Sequence, residues 1–207
     1  MKPFLIAVSG GSGSGKTYLA NQLINNYGND KISLIQVDSY YKDLKHITMQ
    51  EREKSNFDHP DAFDFDLLYT HIKQLENYTE IQIPSYDYTT HTRNNKTTQI
   101  IKTPIILLEG IFSMYYKKIR KITDLKVYLD TSETVRKKRR IVRDKKSRGR
   151  THKSIIKQYT ETVYPMYQEF VEPLMKYSDL IIKENSINSN GIYILNDCIK
   201  SILDENL

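Results

Sequence analysis

The sequence predicts an α/β fold built on a doubly wound parallel sheet. Three observations predict it. Apolar runs recur at Phe4–Val8, Ile32–Val37, Ile105–Leu108, Leu125–Leu129 and Leu180–Ile182. Four of the five are near-continuously apolar, as strands buried on both faces of a parallel sheet are. Helix-compatible segments separate several of them, the alternation such a fold requires. The first run also leads straight into a glycine-rich loop and then a helical segment.

That loop is Gly10-Gly11-Ser12-Gly13-Ser14-Gly15-Lys16-Thr17. It fits the phosphate-loop pattern of glycine, four residues, then glycine-lysine-threonine. Glycines allow backbone amides to turn inward on a polyphosphate. Lys16 brings a point charge to the outer phosphates, and the Thr17 hydroxyl suits magnesium. The following helix, predicted over Thr17 to Tyr27 with Gly28 placed to end it, adds its amino-terminal dipole. A flexible Gly/Ser linker would lack the strand before and the helix after. The motif predicts a nucleoside triphosphate and leaves the reaction open.

In parallel sheets of this kind, ligands collect at the carboxyl ends of the strands. The second run is followed by Asp38-Ser39-Tyr40-Tyr41 and the third by Glu109-Gly110. Both place a carboxylate at the rim that carries the phosphate loop. Glu109 stands where a Walker B acid would help hold magnesium. Asp38 is suited to accept or orient the proton of an attacking hydroxyl.

Between them lies a long excursion, about 39–101. It contains Asn56 to Asp64, a helical pattern of Leu67, Leu68, His71, Ile72 and Leu75, and the alternating stretch Ile81 to Tyr88. Asn94-Asn95 is the expected hairpin turn leading into Thr97–Ile101. This much polar and aromatic material predicts an acceptor-binding insertion.

The chain of 207 residues carries a net charge of +6. Residues 136–150 hold ten Lys/Arg and one acid, Asp144, for a local +9, so the other 192 residues carry −3. Arg136, Arg139, Arg140 and Arg143 are spaced to share one helical surface. So many cations with one acid repel one another unless an anion is near, which predicts an arginine-rich mobile lid over phosphates, about 132–152. A stripe this local is as consistent with clamping a triphosphate as with tracking a nucleic-acid backbone, but the −3 carried by the rest of the chain argues against a nucleic-acid-binding protein, and no nucleic-acid partner is expected.

The length suits a single domain, 1–207, and 39% hydrophobic residues suffice for a core. No apolar run approaches the roughly 20 residues needed to cross a membrane. Met1-Lys2-Pro3 leads directly into the first strand and leaves no room for a signal peptide. The one cysteine, Cys198, lies in an apolar helical pattern with Leu195, Ile199 and Ile202, which predicts core packing. A cytoplasmic location without a membrane partner follows as an expectation.

From Phe4 to about Ile182 the chain resembles the uridine kinase (uridine-cytidine kinase) family of P-loop kinases. The resemblance rests on Asp38-Ser39-Tyr40-Tyr41-Lys42-Asp43, Asn56 to Asp64, Ile83-Pro84-Ser85-Tyr86-Asp87-Tyr88, Glu109-Gly110-Ile111, and Arg143-Asp144 with Arg148-Gly149-Arg150. It implies the P-loop kinase fold with a hairpin-containing nucleoside-binding insertion. It further implies ATP, or GTP as an alternative donor, with Mg2+, and uridine and cytidine as acceptors. Gly10 to Thr17 would hold the donor phosphates and magnesium. Asp38 would be the base for the ribose 5′-hydroxyl, with Tyr41 beside it. Asp58 would hold ribose hydroxyls, Tyr86 and His91 would contact the pyrimidine edge, and Tyr88 would line the base pocket. Arg140, Arg143, Arg148 and Arg150 would be lid and substrate arginines, and Gln158 a further nucleoside contact. The family habit is a homotetramer.

Other small-molecule kinases of this architecture, of the phosphoribulokinase or pantothenate kinase type, would keep the loop and Glu109 but need another acceptor pocket. A GTPase would want Asn-Lys-x-Asp, and Asn95-Lys96-Thr97-Thr98 lacks the aspartate.

Overall fold

The computed structural model describes residues 2–184 and 190–204. Its central sheet has five parallel strands: β1 Phe4–Ser9, β2 Ile32–Gln36, β5 Ile105–Glu109, β6 Leu125–Asp130 and β7 Leu180–Lys183, in the spatial order β2-β5-β1-β6-β7. All five predicted runs are strands, each within a residue or two of the expected bounds. The reason is burial on both sides. Along β5 all five residues are buried, and they alternate between two cores. Ile105 and Leu107 join Ile6, Val8, Leu19, Leu23 and Leu195 on one face. Ile106 and Leu108 join Leu5, Ile35, Leu68, Ile72 and Leu75 on the other.

Helices α1 (Lys16–Tyr27) and α8 (Asn190–Asp204) cover the first face. Cys198 packs there, half-buried, and its thiol pKa is raised by burial. Helix α1 stops at Gly28, whose N–H returns to the Ile24 carbonyl. Helices α3 (Phe65–Asn77) and α4 (Lys117–Ile122) cover the second face. Asp64 caps α3 by accepting from Leu67 N.

The segment between β2 and β5 carries a short 3-10 turn (Val37–Tyr40), α2 (Met49–Lys54), α3, and a separate antiparallel hairpin of β3 (Glu80–Asp87) and β4 (Thr92–Ile101). The hairpin turn lies at residues 88–91, where Asp87 pairs with Thr92 across the ends. Asn94-Asn95, the expected turn, is inside β4. A two-residue turn at Asn94-Asn95 would want glycine second. The real turn has an aspartate ahead of it instead. Asp87 Oδ1 accepts from Thr89 N (2.7 Å) and Thr89 Oγ1 (2.6 Å). His91 completes it with φ 53°.

Two arginines tie this excursion down. Arg52 follows the capping box of Thr48 and Glu51. It donates to the Leu44, Ile47, Lys45 and Thr90 carbonyls. Arg93 donates to the Tyr41 carbonyl (2.9 Å) and pairs with Asp64 at 3.2 Å.

Beyond β6 come α5 (Glu133–Arg148) and a helical run made of α6 (His152–Gln158), a π-helical turn (Tyr159–Val163), α7 (Tyr164–Met166), a second π-helical turn (Tyr167–Val171) and a 3-10 stretch (Glu172–Tyr177). The basic helix α5 makes up most of the segment expected as a lid, and it packs one side against the rest of the chain. Arg136, Arg140 and Asp144 are buried. The Arg136 guanidinium lies 3.6 Å from the centre of the Tyr167 ring. Among the described residues no helix is long and apolar enough to cross a membrane.

Leu107 is 1% exposed at the centre of the sheet. Leu107→Ala should lower the unfolding free energy in urea by about 2–5 kcal/mol, the usual cost of such a cavity. A change within about 0.5 kcal/mol, as for ordinary surface positions, would contradict its place in the core.

Candidate active site

Parallel register sets the site. Val8 of β1 and Gln36 of β2 both pair with Glu109 of β5. The phosphate loop, the Asp38 turn and Glu109 therefore leave the sheet at one level, as the strand-end pattern predicts. The loop itself is closed by contacts that only glycine permits. Gly10 has φ 143°, and a Cβ there would lie 2.7 Å from the Leu129 carbonyl oxygen. Gly13 has φ 82°, and a Cβ there would lie 2.4 Å from the Arg136 carbonyl oxygen. The loop is thus pressed between β6 and α5. Thr131 Oγ1 and Arg139 both donate to the Ser14 carbonyl, at 3.0 and 3.3 Å.

Lys16 is 6% exposed. Its ammonium donates to the Gly10 and Gly11 carbonyls at 2.9 and 3.0 Å. Burial lowers its pKa, while the charges of Glu109 and Asp38 oppose that shift. Glu109 is buried as well, and burial raises its pKa against the pull of Lys16, with Asp38 adding to the rise. The Thr17 side chain hydrogen-bonds to Glu109 and favours its charged form. The Thr17 hydroxyl and Glu109 carboxylate form a pair of hard oxygens. Among the described residues no group of three or more His, Cys, Asp or Glu converges as a metal cage. Magnesium suits such a sparse site, because it is usually held by few protein oxygens together with phosphates and water.

A cavity of about 770 Å³ opens over the loop, lined by Ser12, Gly13, Gly15, Lys16, Thr17, Asp38, Glu109, Arg139, Arg140 and Arg143 among others. A second, of about 590 Å³, adjoins it. Tyr41, Phe57, Asp58, Tyr86, Tyr88, His91, Arg150 and Gln158 are part of its lining. Asp38, Ser12, Tyr86, Tyr88, Arg140 and Arg143 line both. Asp38 therefore stands where a donor group and an acceptor group would meet. Tyr88 Oη is 3.5 Å from its Oδ2.

The second cavity is walled by rings. Tyr41 packs on Phe63 at 4.3 Å and Tyr86 at 5.0 Å, and its hydroxyl donates to the Phe57 carbonyl. His91 stacks on Phe57 at 4.6 Å. The Tyr86 hydroxyl is buried with no hydrogen-bond partner among the described residues, and burial raises its pKa. Such an orphan group favours a ligand that hydrogen-bonds to it.

Arg140 joins the two cavities. It is 5% exposed. Its Nη1 donates to Ser12 Oγ at 2.9 Å and lies 3.7 Å from Asp58 Oδ1. Its Nη2 donates to Gln158 Oε1 at 3.2 Å, and the same oxygen accepts from Arg150.

The structure brings every predicted site residue to these two cavities or to the loop behind them, except Arg148, whose side chain lies outside the described residues. Residues 5–190 match the model of the Phosphoribulokinase / Uridine kinase family. The chain belongs to this family. It is 44% identical to a uridine kinase of Streptococcus thermophilus over 204 residues, 99% of this chain and 97% of that one. It is also 44% identical to a uridine kinase of Clostridium novyi over 206 residues, 100% and 99% of the two chains. Among solved structures, the fold is similar to phosphoribulokinase from Rhodobacter spheroides, with TM-score 0.66 and 15% identity over 88% of this chain and 70% of that one. It is likewise similar to D-glycerate 3-kinase from Cryptococcus neoformans, with TM-score 0.63 and 13% identity over 89% and 87% of the two chains. At such identities the likeness is one of fold alone.

Sequence reasoning missed several residues within this family frame. Arg139 touches the loop at Ser14, and Arg136 packs against it. Both lay in the arginine series that the helical spacing picked out, but spacing does not tell a floor from a lid. Phe57 carries the His91 ring and had no signal beyond its place in a motif. Met49 and Glu53 line the second cavity from α2.

A Glu109 that holds magnesium must be ionised, and its raised pKa means the proton would compete for it to a higher pH than at an ordinary glutamate. Mg-nucleotide affinity, measured by titration calorimetry, should therefore weaken as pH falls into the raised titration range of Glu109. Glu109→Gln should bind more weakly and show a shallower pH dependence, with only the part due to the nucleotide phosphates left. An unchanged profile in the variant would remove Glu109 from the metal site.

Proposed function

We propose that this chain transfers the γ-phosphoryl group of ATP to the 5′-hydroxyl of uridine and cytidine, with Mg2+, giving UMP and CMP in pyrimidine salvage. The observation that carries the reading is the joining of two cavities at Asp38, one lined by the phosphate loop and one by Asp58, Tyr86, His91 and Gln158. The full-length relatives named uridine kinase support the same acceptor. A neutral nucleoside offers hydroxyls and base edges. A carboxylate, an amide, a phenol and an imidazole recognise those by hydrogen bonds, and such a site rejects analogues that lack a partner group.

In the reaction, Asp38 accepts the proton of the 5′-hydroxyl as its oxygen bonds to the γ-phosphorus. The bond to the bridging oxygen of the leaving ADP breaks in line. Lys16 and Arg143 balance charge on the transferring group. Thr17 and Glu109 would hold magnesium, which would supply positive charge to the phosphates. Asp58 and Gln158 hold the ribose with Arg140 and Arg150, Tyr41 braces the pocket beside Asp38, and Tyr86, Tyr88 and His91 enclose the base. The segment at about 39–101 is the acceptor-binding insertion and Arg148 a donor contact. The reading extends to GTP as an alternative donor, a homotetramer, and a cytoplasmic protein with no nucleic-acid or membrane partner.

A coupled assay over a panel of nucleosides, with and without Mg2+, should show turnover of uridine and cytidine, and no turnover of either would sink the proposal. In that assay Asp38→Asn should lower kcat by roughly 10²–10⁴-fold, the usual worth of a general base; near-normal turnover would take that role from it. His91→Ala should raise the nucleoside KM while leaving ATP binding close to normal. Equal losses for both substrates would contradict its place in the acceptor pocket.

A further inference from the structure

The one acid in the arginine-rich segment, Asp144, is fully buried. The reaction above gives it no task. Its carboxylate is nevertheless shared between two arginines of its own helix. Oδ1 accepts from Arg143 Nε at 2.9 Å, and Oδ2 lies 3.4 Å from Arg140 Nε, one turn earlier. A surface pair at this spacing contributes little. A pair at this depth is different, because removing either partner leaves a buried charge uncompensated.

The carboxylate meets both guanidiniums at Nε, Arg143 through a hydrogen bond and Arg140 through an ion-pair contact alone. For Arg140 this presents the terminal nitrogens to Ser12 of the phosphate loop and Gln158 of the acceptor cavity, at 2.9 and 3.2 Å. Arg143 is less enclosed, with a side chain 42% exposed, and lines both cavities. A long side chain at such a boundary has rotamers to lose, and a fixed carboxylate at its Nε restricts them before substrate arrives. One buried oxygen pair therefore sets two arginines that face different parts of the reaction.

We propose that Asp144 is a positioning residue for phosphoryl transfer. It aims Arg143 at the transferring group and holds Arg140 across the junction between loop and acceptor. This rests on the kinase reading given above.

A double-mutant cycle on kcat tests it. Asp144→Asn keeps the side-chain shape and removes the charge. It should lower kcat on the order of 10²-fold, the usual cost of misplacing a reacting-site group by about 1 Å, and raise the nucleoside KM through Arg140. In an Arg143→Ala background the same substitution should cost little further kcat, because the group it acts through is gone. A folded Asp144→Asn variant with wild-type kcat and only a lowered Tm would overturn the proposal. So would losses that add fully across the cycle. If Asp144→Asn does not fold, Asp144→Glu keeps the charge and displaces the oxygens by one methylene, and the same non-additivity is expected. Wild-type protein that turns over no nucleoside would overturn the kinase reading itself. Active wild type with additive variants would overturn only the role of Asp144.

Discussion

Everything in this molecule depends on how closely the backbone passes itself at the phosphate loop. The chain must turn from β1 into α1 with its amides pointing inward, and β6 and α5 crowd it from outside. A Cβ at Gly10 or Gly13 would run into the backbone carbonyl of Leu129 or Arg136, so there is no room for a side chain. That steric closure fixes the loop relative to the sheet. It also makes α5 part of the loop's support, because the residue pressing on Gly13 belongs to that helix. The arginines that follow Arg136 are delivered to the site as a consequence of packing.

The second determinant is charge in a dry place. Lys16 and Glu109 are both buried at the rim of the sheet, and burial pushes their pKa values toward each other. Each is tolerated because the other is near. A polyphosphate with its metal would supply the missing charges of both signs to a cluster held ready for them. On the acceptor side the polar groups are set among rings instead, with Tyr41, Phe57 and Tyr86 enclosing a cavity that Asp58 and Gln158 enter. The two halves differ in chemistry as a triphosphate differs from a neutral hydroxylated ligand.

Legibility in the sequence followed burial. Strands enclosed on both faces leave a continuous apolar run, and β1, β5 and β6 were plain for that reason. The half-buried hairpin was less so. Ile81 and Ile83 alternate clearly, but β4 is mostly exposed and polar, so nothing in composition marks where the chain reverses. The turn depended on the Asp87 carboxylate and a left-handed His91, and Asn94-Asn95 was a decoy. Helix α5 was legible as a helix and not as one that buries Arg136, Arg140 and Asp144 along one side. Ten cations signal solvent or an anion, and no local pattern announces that Tyr167, about thirty residues on, will present its ring to Arg136.

The sequence by itself determined the α/β class, the phosphate loop, the acids at the strand ends and the motifs that tie the chain to its family, because these are local. Each is a short run whose residue types and spacing carry their own physical reason. Only the tertiary structure decided which of the arginines press on the phosphate loop and which line both cavities, that Asp144 is enclosed between two of them, and that Asp38 stands where the cavities meet. Those facts depend on elements far apart in the chain packing at fixed register, and a one-dimensional pattern holds no record of that distance.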